Sequence, residues 1–165
     1  MNSNMEFSYR MERLSKAVKE SGVDVFIVTG QESIYYLTGA SYKPLERPFF
    51  ILVWPNRASL LVPQLEQAHM QKAKGFEMVE AYWEYPSRKG EGYMDKLDAM
   101  LADAKTVGIE PSCKAEVAEH LKGREVRVLP LVETMRLVKS DAEVEAVRAA
   151  ARLADEGIAL MRAAA

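Results

Sequence analysis

Short apolar runs alternate with stretches of helical periodicity along almost the whole chain, and this alternation constrains the fold more than any other feature. Val23–Val28 has the unbroken, β-branched character of a strand buried on both faces, without the in–out alternation of a strand with one wet side. Before it, Met11, Leu14, Ala17 and Val18 at helical spacing predict an opening helix over Tyr9–Ser21, ended by Gly22. After it, a short helical piece, Glu32–Leu37, stops at Gly39. Phe49–Trp54 and Ala58–Val62 flank Pro55-Asn56-Arg57 and read as a hairpin.

The alternation then resumes. A helix is expected over Leu65–Lys74, a strand over Glu77–Tyr82, and a helix over Gly92–Ala102 with Met94, Leu97, Met100 and Leu101 on one face. A strand at Thr106–Ile109, a helix at Ser112–Lys122 and a strand at Glu125–Leu129 follow. Helical Leu131–Val138 and a long helix from Asp141 close the chain. The implied fold class is α/β, a three-layer arrangement with helices on both faces of one sheet. The hairpin adds an antiparallel pair, so the sheet must be mixed. Val25, Ile27, Ile51, Val53, Leu60, Val107 and Val128 are its expected buried residues. A boundary is expected at Lys139-Ser140, giving an α/β domain over 1–139 and a separate helix over 140–165.

Composition narrows the function. A chain of 165 residues is about one domain, and 48% hydrophobic with 28% charged residues is a globular balance. The net charge of −2 and the lack of a basic stripe give no reason to expect nucleic acid or an anionic membrane. Cys113 is the only cysteine, so neither an intramolecular disulfide nor a thiolate-rich zinc site can form. Met1–Arg10 lacks the apolar stretch of a signal peptide, and runs such as Pro48–Pro55 are too short to span a bilayer. The cytoplasm is the expected compartment.

No residue set in the sequence assembles a chemistry. Glu66 and His69 have the i, i+3 spacing of dimetal bundles, but those need two such pairs, and a polar helix face is the simpler reading. His120 near a helix end suits the C-terminal dipole. Cys113 follows Pro111-Ser112 in the first turn of an expected helix, where a thiol can be acidified. It has no His, Asn or Asp partner in the pattern and reads as a partly buried, inert cysteine. Asp24 and Glu110 flank strands without the further acids a two-metal nuclease needs. Gly30, Gly39 and Gly108 make no phosphate-binding loop.

The last helix carries the clearest local signal. Ser140 and Glu143 form a Ser-x-x-Glu capping box, so the helix should start sharply there. Val144, Val147, Ala151, Ala154, Ile158 and Met161 follow at steps of three and four as an apolar seam. The seam must find a partner: its own domain, or the same helix of a second chain. The ending Arg162-Ala163-Ala164-Ala165 offers no Gly or polar terminator, as expected of a piece of a longer chain.

Five stretches in order resemble the N-terminal domain of the creatinase/aminopeptidase P/prolidase metallohydrolases. These are SIYYLTG at 33–39, with Ser33 where the family usually has Asn, and ERP at 46–48 before FFILVW. ASLLVPQLE at 58–66, VGIEP at 107–111 and MRLVKSDAEVEAVRAAARLADEG at 135–157 complete the set.

The resemblance implies a ribonuclease H-like N-terminal domain preceding a catalytic domain that holds two divalent metals, manganese, cobalt or zinc. The family's ligands, two Asp, one His and two Glu, belong to that second domain, so no catalytic, metal or cofactor residue is expected here. The implied function is that of a non-catalytic domain of a Xaa-Pro dipeptidase or aminopeptidase, helping oligomerisation and the rim of the substrate pocket. Its partners would be the catalytic domain of the same chain, a second copy in a homodimer, and a proline-containing peptide. A creatinase-like parent and a free-standing binding or dimerisation module are the alternatives.

Two loops suit the rim. Ala40–Pro48 carries Tyr42, Lys43, Glu46 and Arg47, and Tyr82–Gly92 carries Trp83, Tyr85, Arg88 and Lys89. Read blandly, they are solvated loops with aromatics folded over the sheet edge. Read functionally, Tyr42, Arg47, Trp83 and Tyr85 overhang the pocket of their own or a neighbouring subunit. Aromatic faces suit a proline ring, and Arg47 suits a carboxylate.

Overall fold

The computed structural model describes residues 3–41, 47–71, 73 and 76–164. The chain divides into two compact units, Met1–Glu133 and Thr134–Ala165. In the first, α1 (Ser3–Ser21), β1 (Val25–Val28), α2 (Gln31–Thr38), β2 (Phe50–Val53) and β3 (Ala58–Pro63) come in order. A 3-10 turn over Gln64–Glu66 leads into α3 (Gln67–Met70), then β4 (Met78–Tyr82), α4 (Tyr93–Met100) and β5 (Thr106–Ile109). The run ends with α5 (Ala115–His120), a second 3-10 turn over Leu121–Gly123, β6 (Glu125–Val128) and α6 (Leu131–Leu137), whose later residues belong to the second unit.

The six strands form one mixed sheet in the order β4-β3-β2-β1-β5-β6. The hairpin makes β2 antiparallel to both β1 and β3, and the other neighbours run parallel. Central strands are buried throughout, as their unbroken apolar character requires. Val25, Ile27, Phe50, Leu52, Leu61, Val107 and Ile109 point to one face, where Leu97 and Leu101 of α4 and Val117 of α5 close over them. Phe26, Val28, Ile51, Val53, Leu60 and Val62 point to the other and are as fully buried. On that side α1 and α2 supply Leu14, Val18, Ile34 and Leu37, all without exposure.

Two local features lock these layers. Arg10 of α1 is only 8% exposed. It donates to the Tyr36 carbonyl of α2 at 2.7 Å, pairs with Glu6, and stacks over the Tyr36 ring at 4.0 Å. Gly39 ends α2 in the left-handed region at φ 69°, and a Cβ there would lie 2.5 Å from the Phe7 ring of α1.

Three expectations need correction. Val128 is 61% exposed, because β6 ends the sheet and no described strand lies beyond it. Of the helix expected at Leu65–Lys74, the described residues form a 3-10 turn and the four-residue α3, of which only Met70 is buried, while Lys72 and Lys74 lie outside the described residues. The helix expected at Ser112–Lys122 begins only at Ala115, because a turn closed by Cys113 N–H on the Glu110 carbonyl at 3.0 Å delays it.

The second unit is dominated by α7 (Asp141–Ala164). Its expected capping box is present: Glu143 Oε2 accepts from the Ser140 N–H at 2.8 Å, and the Glu143 N–H donates to Ser140 Oγ at 3.3 Å. No α7 residue is buried. Val144 is half-buried, whereas Val147, Ala151, Ala154, Ile158 and Met161 are exposed, so the seam is an open apolar stripe.

Candidate functional site

A cleft of about 280 Å³ opens where β4 passes into α4, lined by Arg47, Tyr82, Trp83, Tyr93 and Asp95 among others. Its floor is aromatic. Tyr82, 1% exposed, ends β4 and donates its hydroxyl to the Pro48 carbonyl at 3.0 Å, which fixes the chain entering β2. Tyr93 opens α4, with its ring 5.6 Å from Tyr82 and stacked 6.0 Å from Phe50. Over this floor Arg47 Nε and Glu84 Oε1 stand 2.7 Å apart, each side chain about one-third exposed at 35% and 32%. A smaller hollow of about 100 Å³ shares Arg47 and Pro48 and reaches Thr29, Ser112 and Lys114 beyond the carboxyl ends of β1 and β5.

The expected rim residues do not all meet. Arg47 and Trp83 line the same cleft, and Trp83 is half exposed, its backbone N–H donating to the Glu91 carbonyl at 2.8 Å. Tyr85 is 95% exposed and does not line the cleft. It precedes Pro86 in the exposed turn that follows β4. Tyr42, with Lys43 and Glu46, lies outside the described residues. Glu84 and Tyr93 were not singled out by the sequence. Glu84 could have been, as the acid beside Trp83 in a loop facing another loop that ends in Arg47.

The electrostatics assign fixed structural tasks to the remaining polar residues. Asp24 Oδ2 accepts from the Lys105 and Thr106 N–H groups at 2.8 Å each, and these bonds hold its carboxyl below the usual carboxylate range. At the other end of the β1–β5 pair, Glu110 is 1% exposed and its Oε2 accepts from the Thr29 and Gly30 N–H groups, both at 2.7 Å. Burial pushes Glu110 above the usual range, against the lowering effect of Ser33 and those two backbone donors. Burial also raises the Cys113 thiol, and Glu110 adds to the rise, so this cysteine is no activated nucleophile. Burial, then the hydrogen bond to Glu116 at 2.6 Å, pushes the Tyr93 hydroxyl up to about 12.

The two histidines stay apart. His120 Nε2 meets Asp98 Oδ2 at 2.8 Å, and Arg124 reaches the other oxygen of Asp98 at 3.3 Å. His69 is exposed on α3, with Glu66 in the preceding 3-10 turn. Among the described residues no three His, Cys, Asp or Glu come together as a group able to hold a metal ion. The described donors therefore do not fit a metal pair, which the family resemblance places in a following catalytic domain. No described helix is long and apolar enough to cross a membrane.

A mixed six-stranded sheet between helices, with an aromatic-floored cleft where β4 passes into α4, defines an α/β domain. The chain belongs to the Creatinase/Prolidase N-terminal domain family, which it matches over residues 10–149. It is 25% identical over 154 residues to a Xaa-Pro dipeptidase of Pyrococcus furiosus, covering 90% of this chain and 40% of that protein. A Xaa-Pro dipeptidase of Pyrococcus horikoshii gives 26% identity with the same shares. The chain thus spans about 40% of the length of these relatives.

Among solved structures, the prolidase of P. horikoshii superposes with a TM-score of 0.73 at 24% identity, over 91% of this chain and 41% of that one. The Creatinase/Prolidase N-terminal domain of an X-Pro dipeptidase from Streptococcus pyogenes gives 0.63 at 25% identity, over 73% of this chain and 99% of that one.

Proposed function

We propose that this chain serves as the N-terminal domain of a cytoplasmic Xaa-Pro dipeptidase-type metallopeptidase and contributes no reacting group. The observation that carries this reading is the pattern of coverage: 90% of this chain aligns with only 40% of each Pyrococcus dipeptidase. Residues 140–165 would then form the helix leading toward the part of the protein that holds two divalent metals, manganese, cobalt or zinc. Copies would pair as a homodimer through the open α7 seam.

The cleft of Arg47 and Trp83 would shape the rim of a substrate pocket. The half-exposed indole presents a face to a proline ring, and the guanidinium can share itself between Glu84 and a peptide carboxylate. Tyr85, on the exposed turn after β4, would lie at the outer margin of the same rim.

The test uses the chain joined to its catalytic part. Arg47→Ala or Trp83→Ala should each lower kcat/KM for a Xaa-Pro dipeptide by roughly tenfold, equivalent to about 1.4 kcal/mol, with metal content and folding unchanged. Unchanged kinetics in both variants would remove the rim role. The 165-residue chain by itself should bind no stoichiometric metal pair and cleave no such dipeptide. Turnover by it would overturn the non-catalytic reading.

A further inference from the structure

The chain parts at β1 and β5. These neighbouring strands run parallel, so their carboxyl ends lie side by side. From β1 the chain turns into α2 and goes on to β2, on one side of the pair. From β5 it turns into α5 and goes on to β6, on the other side. Connections that leave in opposite directions open a crevice beyond the strand ends, the usual ligand position of an open α/β sheet. The hollow of about 100 Å³ stands there.

Its lining is one-sided in charge. Arg47 and Lys114 are cations, Thr29 and Ser112 carry hydroxyls, and the rest, Phe49 and Val117 among them, are apolar. No acid lines it. The acids of the neighbouring turns are committed elsewhere. Glu116 Oε1 accepts from the Tyr93 hydroxyl at 2.6 Å. Glu110 Oε2 takes the Thr29 and Gly30 N–H groups at 2.7 Å, which closes the start of α2 to any ligand.

The two cations are not used up. Lys114 is exposed just before α5 and forms no ion pair among the described residues. Glu84 stands 2.7 Å from Arg47 Nε without the alignment of a hydrogen bond. A guanidinium has five donors in a fork, so one carboxylate oxygen at Nε does not exhaust it.

We propose that this hollow is a binding site for a short aliphatic monocarboxylate, with the carboxylate between Arg47 and Lys114 and the apolar body against Phe49 and Val117. The Ser112 hydroxyl is a further donor to the carboxylate. A volume of about 100 Å³ is room for roughly three waters, which suits an acid of about three carbons and excludes a peptide. A free amino acid fits poorly, because its ammonium would lie beside two cations with no acid to meet it. A phosphate would satisfy the cations but lose hydration against the apolar lining. Arg47 also lines the larger cleft, so the occupant and Glu84 compete for one guanidinium.

Propionate titrated at constant ionic strength into the nitrogen-15-labelled 165-residue chain tests this. The backbone N–H signals of Thr29, Ser112 and Lys114 should move saturably, with a Kd on the order of 1 mM. Alanine, which adds only the ammonium, should bind about tenfold more weakly. Arg47→Gln should weaken propionate about tenfold, and Lys114→Gln, at its exposed position, about threefold. Glu84→Gln should tighten it about threefold by removing the competitor.

Shifts that never saturate overturn the proposal, as do affinities unchanged in all three variants. Equal binding of alanine overturns the charge argument and the ligand class with it. Chloride or phosphate moving the same signals as strongly as propionate also overturns it, and would mean an adventitious ion only.

Discussion

Asp24 and Glu110 close opposite ends of the same strand pair, each by accepting two successive backbone N–H groups on one carboxylate oxygen. Asp24 precedes β1 and reaches across to the start of β5. Glu110 follows β5 and reaches across to the end of β1. The two parallel strands are pinned in register from both ends, and the chemistry at the ends differs because one acid is wet and the other dry.

For the wet end, Asp24→Ala should destabilise the fold by about 1 kcal/mol, the scale of charge-assisted bonds discounted for solvent screening. The Asp24 carboxyl is lowered in the fold, so its contribution is present above the unfolded value near 3.9 and lost as pH falls through the folded one. Asp24→Asn should therefore flatten the acid limb of a stability–pH curve measured by urea unfolding.

At the alkaline side, Tyr93 is the reporter. Its hydroxyl is pushed up to about 12, so the stability it contributes holds below the ordinary tyrosine value near 10 and disappears as pH rises toward 12. Absorbance titration should show one tyrosine ionising late. Tyr93→Phe should remove that step and cost about 1 kcal/mol through the lost bond to Glu116.

Within the sheet, Gly108 leaves no room for a side chain. A Cβ at this position would sit 2.7 Å from Phe26 Cδ2, its cross-strand neighbour in β1. Gly108→Ala should cost roughly 1–3 kcal/mol by overpacking, and trimming the ring in the double variant with Phe26→Leu should recover part of it. By contrast, Leu60→Ala in the buried β3 should cost about 2–5 kcal/mol, whereas Val128→Ala on the exposed edge should stay within about 0.5 kcal/mol. Thermal or chemical unfolding measures all four.

The open seam on α7 makes the association test direct. Val147→Glu plus Ile158→Glu should shift the sedimenting species from dimer to monomer while helicity is kept, because both residues are exposed within the single chain. A wild type that sediments as a monomer, and a double variant identical to it, would remove the seam from any association.

Much of this fold was legible because its strong signals are local and periodic. Val25–Val28, Phe50–Val53 and Thr106–Ile109 announce buried strands by continuous apolar character, and Gly22, Gly39 and Ser140 mark element ends by backbone or capping chemistry. Where the reading failed, the deciding fact was tertiary. Val128 is as β-branched as Val107, but one lies on the sheet's edge strand and the other on a strand paired on both sides.

The same holds for the site. Arg47 and Trp83 stand 36 positions apart, and only the family resemblance suggested that their two loops shared a rim. That Glu84 holds Arg47, or that the floor is built from Tyr82 and Tyr93, depends on how β4 turns into α4. Glu110 was legible only as an acid after a strand. Its two backbone partners lie 81 and 80 residues away, and no sequence period connects them.

The reciprocal bonds of Ser140 and Glu143 also make α7 a ruler with a fixed zero. Its 24 residues at about 1.5 Å each span some 36 Å, and every residue advances the azimuth by about 100°. Because the first turn is clamped, a single inserted or deleted residue downstream cannot be absorbed by sliding the start. It would rotate everything beyond it by more than a quarter-turn, carrying Ile158 and Met161 off the stripe that Val144 and Val147 begin. The length of the segment between Ser140 and Ile158 is thus under stricter control than its composition. Conservative replacements along it should be tolerated where a one-residue change in length is not.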